Sequence, residues 1–338
     1  MTELDKSTNK AQQANTVAKL DENIDLSLII PAHNEQGNVE LFYERACECA
    51  KAHKLNCELI FVDDGSSDNT LHVLKDIVER AKQEKQPVKV LSFSRNFGKE
   101  SAMYAGLEHS CGMHYCFIDA DMQQDPDTAF EMLELLKKNP NFDCVAAYQE
   151  NRHQGFLRSF FSKKFYGTFS SSSGLEVVHN ASDFRVFKRC VANALLNMPE
   201  RFRFSKGLFA WAGFKTLPFA YTAAQRHSGK TNWSFRSLMR YGIEGIFSFS
   251  TFPLQLATYA GILASLAALI YAIIVIVQRV AFGIAVPGYA TIVVLILFLG
   301  GLQLLVLGII GQYIARAYVE GKHRPIYIAR EIISWNDN

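Results

Sequence analysis

Apolar and polar positions alternate in short blocks over the first 120 residues of the chain. Four apolar runs have the length of strands, at residues 26–31, 58–62, 88–93 and 115–118. The segments between them have the 3.6-residue spacing of helices, at residues 38–53, from Asp68 or Asn69 to about 82, and at 101–109. Strands that alternate with helices through short connections predict an α/β fold with a parallel sheet covered on both faces.

A polar cluster follows each of the four predicted strands. The clusters read AHNE at 32–35, DDGSSD at 63–68, SRNFGK at 94–99 and DADMQQ at 119–124. Ligands of such sheets bind outside the carboxyl ends of the strands, so one ligand could contact all four clusters. The carboxylates gathered at this edge would repel one another unless a cation or hydrogen-bond donors lay between them. Mg²⁺ suits such a place, because it takes one or two carboxylates together with substrate phosphates.

The last third of the chain is almost free of charge. Between Thr251 and Ile314 the one charged residue is Arg279. Two apolar windows, at about 252–277 and 289–314, exceed the roughly 20 residues that cross a bilayer. They predict two transmembrane helices within residues 251–315, with two buried helices of a soluble domain as the alternative. Basic residues flank the pair on both outer sides, at Arg236, Arg240, Arg316, Lys322, Arg324 and Arg330.

This charge asymmetry predicts that both termini and the polar domain are cytoplasmic, on the inner (plasma) membrane. Residues 1–25 are polar and have no apolar stretch typical of a signal peptide, so we expect a disordered tail. The seven cysteines form no CxxC pair, and in the cytoplasm we expect them to be reduced. The formal net charge of +2 gives no general attraction to nucleic acid.

Two common nucleotide-binding motifs are missing from the sequence. No GxGxxG occurs, so the dinucleotide-binding fingerprint is absent. Gly229, Lys230 and Thr231 resemble the end of a phosphate-binding loop, but Ala224 stands where that loop requires glycine. Neither class of nucleotide-binding protein is therefore predicted.

The polar clusters together carry a resemblance to a known family. LSLIIPAHNE, FVDDGSSDNT, SRNFGKESAMYAGL and IDADMQQDP, in this order, resemble the family 2 glycosyltransferases, which have a GT-A fold, use a nucleotide-sugar donor and bind a divalent cation at the DxD motif. SDFRVFKR, PERFRFSKGLFAWAGF, FSFSTFPL and GQYIARAYVEGKHRPIY are similar to the polyprenyl-phosphate glycosyltransferases, the dolichol-phosphate mannose synthase-like branch. Within that branch the nearest likeness is to bactoprenol glucosyltransferases.

The resemblance implies roles for residues at the four strand ends. The residues implied in nucleotide-sugar binding are Pro31, Ala32, Asn34, Glu35, Asp63, Asp64, Ser66, Arg95, Lys99 and Asp119. Asp121, Asp119 and Gln123 would hold Mg²⁺ or Mn²⁺, and Asp183 would lie near the sugar as a base or as a positioning residue. Asp119, Asp121 and Asp183 are the predicted catalytic residues. A plain turn at 63–65, and a solvent-exposed loop around Arg95 and Lys99, are the alternatives.

A basic stretch is predicted to bind the phosphate of the acceptor. Arg201, Arg203 and Lys206 lie in the sequence RFRFSK, and arginine can grip phosphate with two hydrogen bonds. A solvated basic surface is the alternative. The resemblance adds Arg226, Lys230 and Thr231, although Asn232 stands where the family usually has lysine.

The expected function is an inverting transfer of glucose from UDP-glucose to undecaprenyl phosphate. GDP-mannose is the alternative donor, and a non-catalytic membrane protein that binds nucleotide sugar is the alternative class. The predicted organisation is a GT-A catalytic domain at 26–232, an interfacial helix at 233–250, the two spans, and a cytoplasmic tail at 316–338. A second aromatic and basic segment, at 156–169, also favours the bilayer surface. A homo-oligomer is left open.

Overall fold

The computed structural model describes residues 18–149, 181–222, 252–282 and 288–336. The chain divides into two compact units. One contains Met1–Gly167, Leu175–Leu238 and Pro325–Asn338, and the other contains Thr168–Gly174 and Met239–Arg324. The predicted interfacial segments at 156–169 and 233–250, and most of the connector between the predicted spans, lie outside the described residues.

An eight-stranded sheet is the centre of the first unit. Its strands are β1 (Leu26–Ala32), β2 (Cys57–Asp63), β3 (Val88–Phe93), β4 (His114–Phe117), β5 (Cys144–Gln149), β6 (Ala181–Lys188), β7 (Thr216–Tyr221) and β8 (Ala329–Ser334), in the order β7-β5-β6-β4-β1-β2-β3-β8. Strands β3, β2, β1 and β4 are mutually parallel, as predicted. The outer strands make the sheet mixed, because β6 runs antiparallel to β4 and β5, and β8 antiparallel to β3.

Six described helices belong to this unit. They are α1 (Val39–His53), α2 (Thr70–Glu84), α3 (Lys99–Glu108), α4 (Pro126–Lys138), α5 (Arg189–Leu196) and α6 (Ser205–Ala212). The three helices predicted between the strands are confirmed, with ends shifted by one or two residues. Helix α4 begins at a strong start signal, since Asp125 accepts a hydrogen bond from the Asp127 amide and Pro126 occupies the first helical position.

Both faces of the sheet are buried, as a parallel sheet requires. Leu59 and Phe61 of β2 pack into the larger core, which also contains residues of α1, α2 and α4. Ile60 and Val62 of the same strand pack on the opposite face with Ala102 of α3. This alternation explains why β2 reads as a continuous apolar run rather than as alternating apolar and polar positions.

The residues after the second apolar segment contain a strand that the sequence did not predict. They were expected to form only a cytoplasmic tail, but β8 pairs with β3 from Lys89 opposite Ser334 to Phe93 opposite Ala329. Lys75 of α2 lies 2.9 Å from the Glu331 carboxylate of β8. The catalytic unit is therefore completed by residues from the far end of the sequence.

The second unit contains two long apolar helices, α7 (Phe252–Phe282) and α8 (Tyr289–Glu320). Their candidate membrane spans are Phe252–Val275 and Val294–Glu320, with mean hydropathies of 2.1 and 2.6. The most apolar stretch of each is not buried in the protein, and Leu263 is 70% exposed. At 1.5 Å per residue, each helix is longer than the hydrocarbon core of about 30 Å. Two apolar helices long enough to cross a membrane are thus confirmed by length and composition.

Candidate active site

The loops that follow β1 and β2 are bonded to each other at the carboxyl edge of the sheet. The Asn34 amide donates to Ser66 Oγ at 2.9 Å, and Asn34 Oδ1 accepts from the Ser67 amide at 2.9 Å. The Glu35 amide donates to Thr70 Oγ1 at 2.9 Å. Asn34 has a φ of 57°, a left-handed conformation that asparagine tolerates better than most residues. The sequence-predicted neighbours Asn34 and Ser66 are therefore brought into direct contact.

Two buried aspartates organise the same edge. Asp63 is 1% exposed, and its carboxylate accepts from the Ser66 amide at 3.0 Å and from Ser92 Oγ at 2.9 Å. Asp64 accepts from the amides of Phe97 and Gly98, at 2.6 and 2.9 Å. Burial raises the pKa of Asp64, although these two amides oppose the shift. Asp63 therefore stabilises the turn at 63–65, which is the alternative role that the sequence left open.

Gly65 allows the next loop to approach this turn closely. Its φ is +63°, and a Cβ at this position would lie 2.4 Å from the carbonyl carbon of Arg95. A larger residue would force the loop with Arg95 away. The exposed Arg95 guanidinium lies 3.9 Å from the centre of the Phe97 ring. The structure thus places Arg95 at the predicted edge, beside the loop that Asp64 holds.

The DxD segment turns tightly after β4. The Gln123 amide donates to Asp121 Oδ1 at 3.1 Å, and the Asp119 amide donates to Gln124 Oε1 at 3.1 Å. Asp121 is 7% exposed, whereas the side chain of Asp119 is 32% exposed. Gln123 contacts Asp121 through its backbone, and the residue is exposed. The two aspartates therefore differ in environment although one residue separates them.

Lys99 links two of the predicted catalytic residues. Its ammonium lies 2.5 Å from Asp119 Oδ1 and 3.6 Å from Asp183 Oδ2. Burial would lower the pKa of Lys99, but Asp119 and Asp183 together raise it above its ordinary value. Burial would raise the pKa of Asp183, but Lys99, Lys206 and Arg185 lower it. Both groups are therefore charged at neutral pH.

One carboxylate oxygen of Asp183 accepts no hydrogen bond from the described residues. Within the described part of the chain, Asp183 Oδ1 is buried and has no hydrogen-bond partner. A buried acceptor without a donor costs about 1–3 kcal/mol, so such atoms in native proteins call for an explanation. A carboxylate oxygen in this position can accept a hydrogen bond from a hydroxyl group of a substrate.

The acidic residues suit a divalent ion that a substrate also binds. In the described segments, no three His, Cys, Asp or Glu side chains are grouped as a metal site. The carboxylate of Glu35 accepts from Asn38 Nδ2 at 2.5 Å, and Asp63 and Asp64 have the donors given above. Hydrogen-bond donors therefore accompany these three carboxylates. Asp119, beside Lys99, and Asp121, which accepts from the Gln123 amide, are one residue apart in the DxD segment, and Mg²⁺ or Mn²⁺ fits two carboxylates whose coordination substrate phosphates complete.

The predicted acceptor residues have three different environments. Arg203 is partly buried, donates to the carbonyl oxygens of Met198 and Leu195, and lies 4.7 Å from the centre of the Tyr104 ring. Burial lowers its pKa. The prediction made Arg203 a phosphate ligand; in the structure its guanidinium instead binds the carbonyls at the end of α5.

The other two cations of this stretch have different neighbours. Arg201 Nη1 donates to the Pro325 carbonyl at 2.9 Å, and Lys206 lies near enough to Asp183 to lower the pKa of that carboxylate. The charge of Lys206 thus acts on Asp183, the carboxylate that Lys99 also contacts. Arg226, Lys230 and Thr231 lie outside the described residues.

Sequence reasoning missed Glu100, which directly follows Lys99. Its carboxylate accepts from the Ser205 amide at 3.0 and 3.1 Å and also from Ser205 Oγ. Burial, followed by the nearby Asp183, raises the pKa of Glu100, and the Ser205 donors oppose this shift. A glutamate in the first turn of a helix is common, so the sequence carried no signal for this contact.

Comparison with known proteins shows the family of this chain. The family model of glycosyl transferase family 2 matches residues 27–196. The chain is 41% identical to the putative glycosyltransferase CsbB of Bacillus subtilis, over 90% of this chain and 91% of that protein. It is 37% identical to the prophage bactoprenol glucosyl transferase homolog of Escherichia coli (91% and 99% covered) and 36% identical to the bactoprenol glucosyl transferase of Shigella phage SfV (90% and 98% covered).

The mixed sheet, the DxD pair at its carboxyl edge and these matches define a glycosyltransferase with a GT-A-like fold. The chain belongs to glycosyltransferase family 2. The family, the fold class and the enzyme class inferred from the sequence motifs are confirmed.

Proposed function

We propose that the protein transfers glucose from UDP-glucose to a polyprenyl phosphate such as undecaprenyl phosphate, with inversion at the anomeric carbon. The observation that carries the proposal is the contact of Lys99 with both Asp119 and Asp183, beside Lys206. A charged cluster of this kind suits a reaction that brings two phosphate-containing substrates together. The likeness to bactoprenol glucosyl transferases over 90% or more of each chain supports transfer of glucose to a lipid of the bactoprenol type.

The donor would bind along the loops after β1, β2 and β3. Asn34, Ser66 and the buried Asp63 lie together there and are proposed to surround the base and the ribose, with Pro31, Ala32 and Glu35. Lys99 and Arg95 would face the diphosphate. Asp119 and Asp121 would hold Mg²⁺ or Mn²⁺, which when bound neutralises charge on the leaving diphosphate.

The acceptor needs little activation by the protein. A phosphate monoester is already anionic at neutral pH, so its oxygen requires no strong general base. In a single displacement this oxygen forms a bond to the anomeric carbon while the bond from that carbon to the diphosphate oxygen breaks and UDP departs. Inversion follows because attack and departure occur on opposite faces of the sugar. We propose that Lys206, with Arg201 nearby, binds the acceptor phosphate.

Asp183 is proposed to position the sugar rather than to remove a proton. Lys99, Lys206 and Arg185 lower its pKa, which favours the ionised form and makes it a weak base. Its buried Oδ1 has no donor in the described part of the chain and would accept a hydroxyl group of the sugar. This arrangement would orient the anomeric carbon toward the acceptor.

The two apolar helices would place this chemistry at the membrane. We propose that α7 and α8 cross the bilayer as a hairpin with both ends in the cytoplasm, because the basic residues flank the pair on its outer sides. A lipid phosphate embedded in that bilayer would then present its head group at the surface where the catalytic unit works.

A donor panel tests this proposal. Purified full-length protein in detergent is incubated with Mn²⁺, undecaprenyl phosphate and radiolabelled UDP-glucose, GDP-mannose or UDP-N-acetylglucosamine, and the lipid products are separated by thin-layer chromatography. The proposal predicts a labelled lipid from UDP-glucose, and none with the Asp121→Asn variant. A labelled lipid from GDP-mannose alone would establish the alternative donor.

A further inference from the structure

Helix α3 contacts the carboxylates of the proposed site and also the first residue of α6. Lys99, its first residue, lies against Asp119 and Asp183. Glu100 and Tyr104 are one helical turn apart and therefore share a face of α3. That face meets the end of α5 and the start of α6, because Glu100 accepts from Ser205 and the Tyr104 hydroxyl donates to the Leu196 carbonyl at 3.3 Å.

Glu100 does for α6 what a capping residue normally does. The first amides of a helix have no partner within the helix, and a Ser, Thr, Asp or Asn at the preceding position usually accepts from one of them. Phe204 holds that position in α6, and it makes no side-chain cap. The Glu100 carboxylate supplies the missing acceptor from another helix, at 3.0 and 3.1 Å from the Ser205 amide. A negative charge at a helix N-terminus is also electrostatically favourable.

This contact restrains the backbone that carries Lys206. Lys206 is the second residue of α6, so its backbone is set by how the first residue, Ser205, is held. Glu100 holds Ser205 through both the amide and the hydroxyl group, which restrains position and rotation together. Because Lys99 and Glu100 are consecutive, the cation beside Asp119 and the support of Lys206 belong to one turn of α3.

We propose that Glu100 is a positioning residue that sets the affinity for the acceptor phosphate by holding α6, and with it Lys206, at the site. This inference rests on the proposed function. Glu100 contacts neither substrate; it acts through Ser205. Its loss should therefore raise the KM for the lipid phosphate while the Kd for the nucleotide sugar stays unchanged.

The test compares Glu100→Gln, Ser205→Ala and the double variant. Both Glu100 oxygens accept from Ser205, and Gln replaces one of them with an amide group that cannot accept, so we expect Glu100→Gln to raise the KM for undecaprenyl phosphate about tenfold. The Kd of UDP-glucose, measured by calorimetry without lipid, should change less than twofold. The second substitution should add less to the first than it does alone, because both weaken the contact between Glu100 and Ser205.

A matched control lies on the same helix. Glu108 accepts a hydrogen bond from the Tyr327 hydroxyl at 2.6 Å, so Glu108→Gln also removes a bonded carboxylate from α3, but one that does not contact Ser205. We expect it to leave the KM for the lipid near the wild-type value. If Glu100→Gln proves unstable, Ser205→Ala removes only one hydroxyl group and must still raise this KM.

The outcomes separate the two proposals. An active wild-type enzyme whose Glu100→Gln and Ser205→Ala variants keep the wild-type KM for the lipid overturns the inference about Glu100 alone. A proportional loss of UDP-glucose affinity overturns it as well, since Glu100 would then belong to the donor site. A wild-type enzyme that forms no lipid product from any donor overturns the proposed function.

Discussion

The ammonium group of Lys99 lies 2.5 Å from Oδ1 of Asp119. Lys99 is the first residue of α3, which follows β3, and Asp119 follows β4, so this contact joins the ends of two parallel strands that β1 and β2 separate in the sheet. The same ammonium lies 3.6 Å from Asp183 of β6. A single cation thus holds two carboxylates from different strands in place, and a substrate diphosphate at this edge would meet that cation as well.

Removing this cation should impair catalysis. We expect Lys99→Met, which keeps the length of the side chain, to lower kcat/KM roughly 10- to 150-fold, since a charge-assisted hydrogen bond contributes about 1.5–3 kcal/mol. Lys99→Arg should recover part of the loss. The control is Lys75→Met, which removes an ion pair with Glu331 on the far strand β8. Equal activity of Lys99→Met and wild type in steady-state assays would contradict the role of Lys99.

The sequence could predict this edge because parallel strands end on the same side. The polar clusters after the first four strands were therefore assigned to one site without knowledge of any distance. The sequence could not predict β8, since AREIIS is short and lies more than 200 residues from its partner β3. Nor could the sequence show that Arg203 and Lys206 have different environments. Both are basic residues of one stretch, and only packing shows that the guanidinium of Arg203 binds carbonyl oxygens.

Substituting Lys206 and Arg203 should have different effects. We expect Lys206→Ala to lower kcat/KM for undecaprenyl phosphate roughly 10- to 150-fold and to leave the calorimetric Kd of UDP-glucose unchanged, because Lys206 is proposed to bind the acceptor phosphate. Lys215→Ala, an exposed lysine three residues after α6, is the control. If Lys206→Ala weakens donor binding by the same factor as it weakens transfer, Lys206 belongs to the donor site.

Arg203→Ala should instead act on stability. The variant leaves the carbonyl oxygens of Met198 and Leu195 without their donor and removes a cation from the face of Tyr104. We expect the free energy of unfolding to fall by about 1–3 kcal/mol, measured by chemical denaturation of the protein in detergent. If the Arg203→Ala enzyme is as stable as wild type and has lost only affinity for the lipid, Arg203 binds the acceptor phosphate, as the sequence predicted.

His53, the last residue of α1, contacts α4 and should make the stability of the protein depend on pH. His53 Nε2 lies 2.9 Å from Asp127 and Nδ1 lies 3.0 Å from Glu134. These hydrogen bonds, that to Asp127 first, raise the pKa of His53. A group whose pKa is raised by folding stabilises the protein fully below its unfolded value of about 6.5. This stabilisation is lost as the pH rises through the folded pKa.

We therefore expect wild type to exceed His53→Gln in Tm by a larger margin at pH 5.5 than at pH 9. Differential scanning fluorimetry in detergent measures this margin. His72→Gln is the control, because the His72 side chain is 79% exposed and its nearest carboxylate, that of Asp76, lies 3.8 Å away. A margin that is constant across this pH range would show that the carboxylates do not stabilise a charged His53.

The proposed topology can be tested with reporters. Basic residues precede α7 and follow α8, whereas Arg279 is the one cation between Thr251 and Ile314. We expect fusions at the N-terminus and after Asn338 to report the cytoplasm, and a tag near Pro287 to be accessible from outside. Green fluorescent protein and alkaline phosphatase fusions report the two sides. A C-terminus outside the cytoplasm would contradict the proposed compartment of the catalytic unit.

The proposed reaction moves one hexose from a nucleotide sugar to a lipid phosphate. The most direct measurement follows both products at once: UDP by a coupled assay and the lipid by mass spectrometry, with undecaprenyl phosphate, UDP-glucose and Mn²⁺. We predict one hexosyl-lipid for each UDP released, and neither product with EDTA or with Asp121→Ala, because Asp121 is the buried carboxylate proposed to hold the ion. Release of UDP without a hexosyl-lipid, or full transfer in EDTA, would contradict the proposed metal-dependent transfer to the lipid.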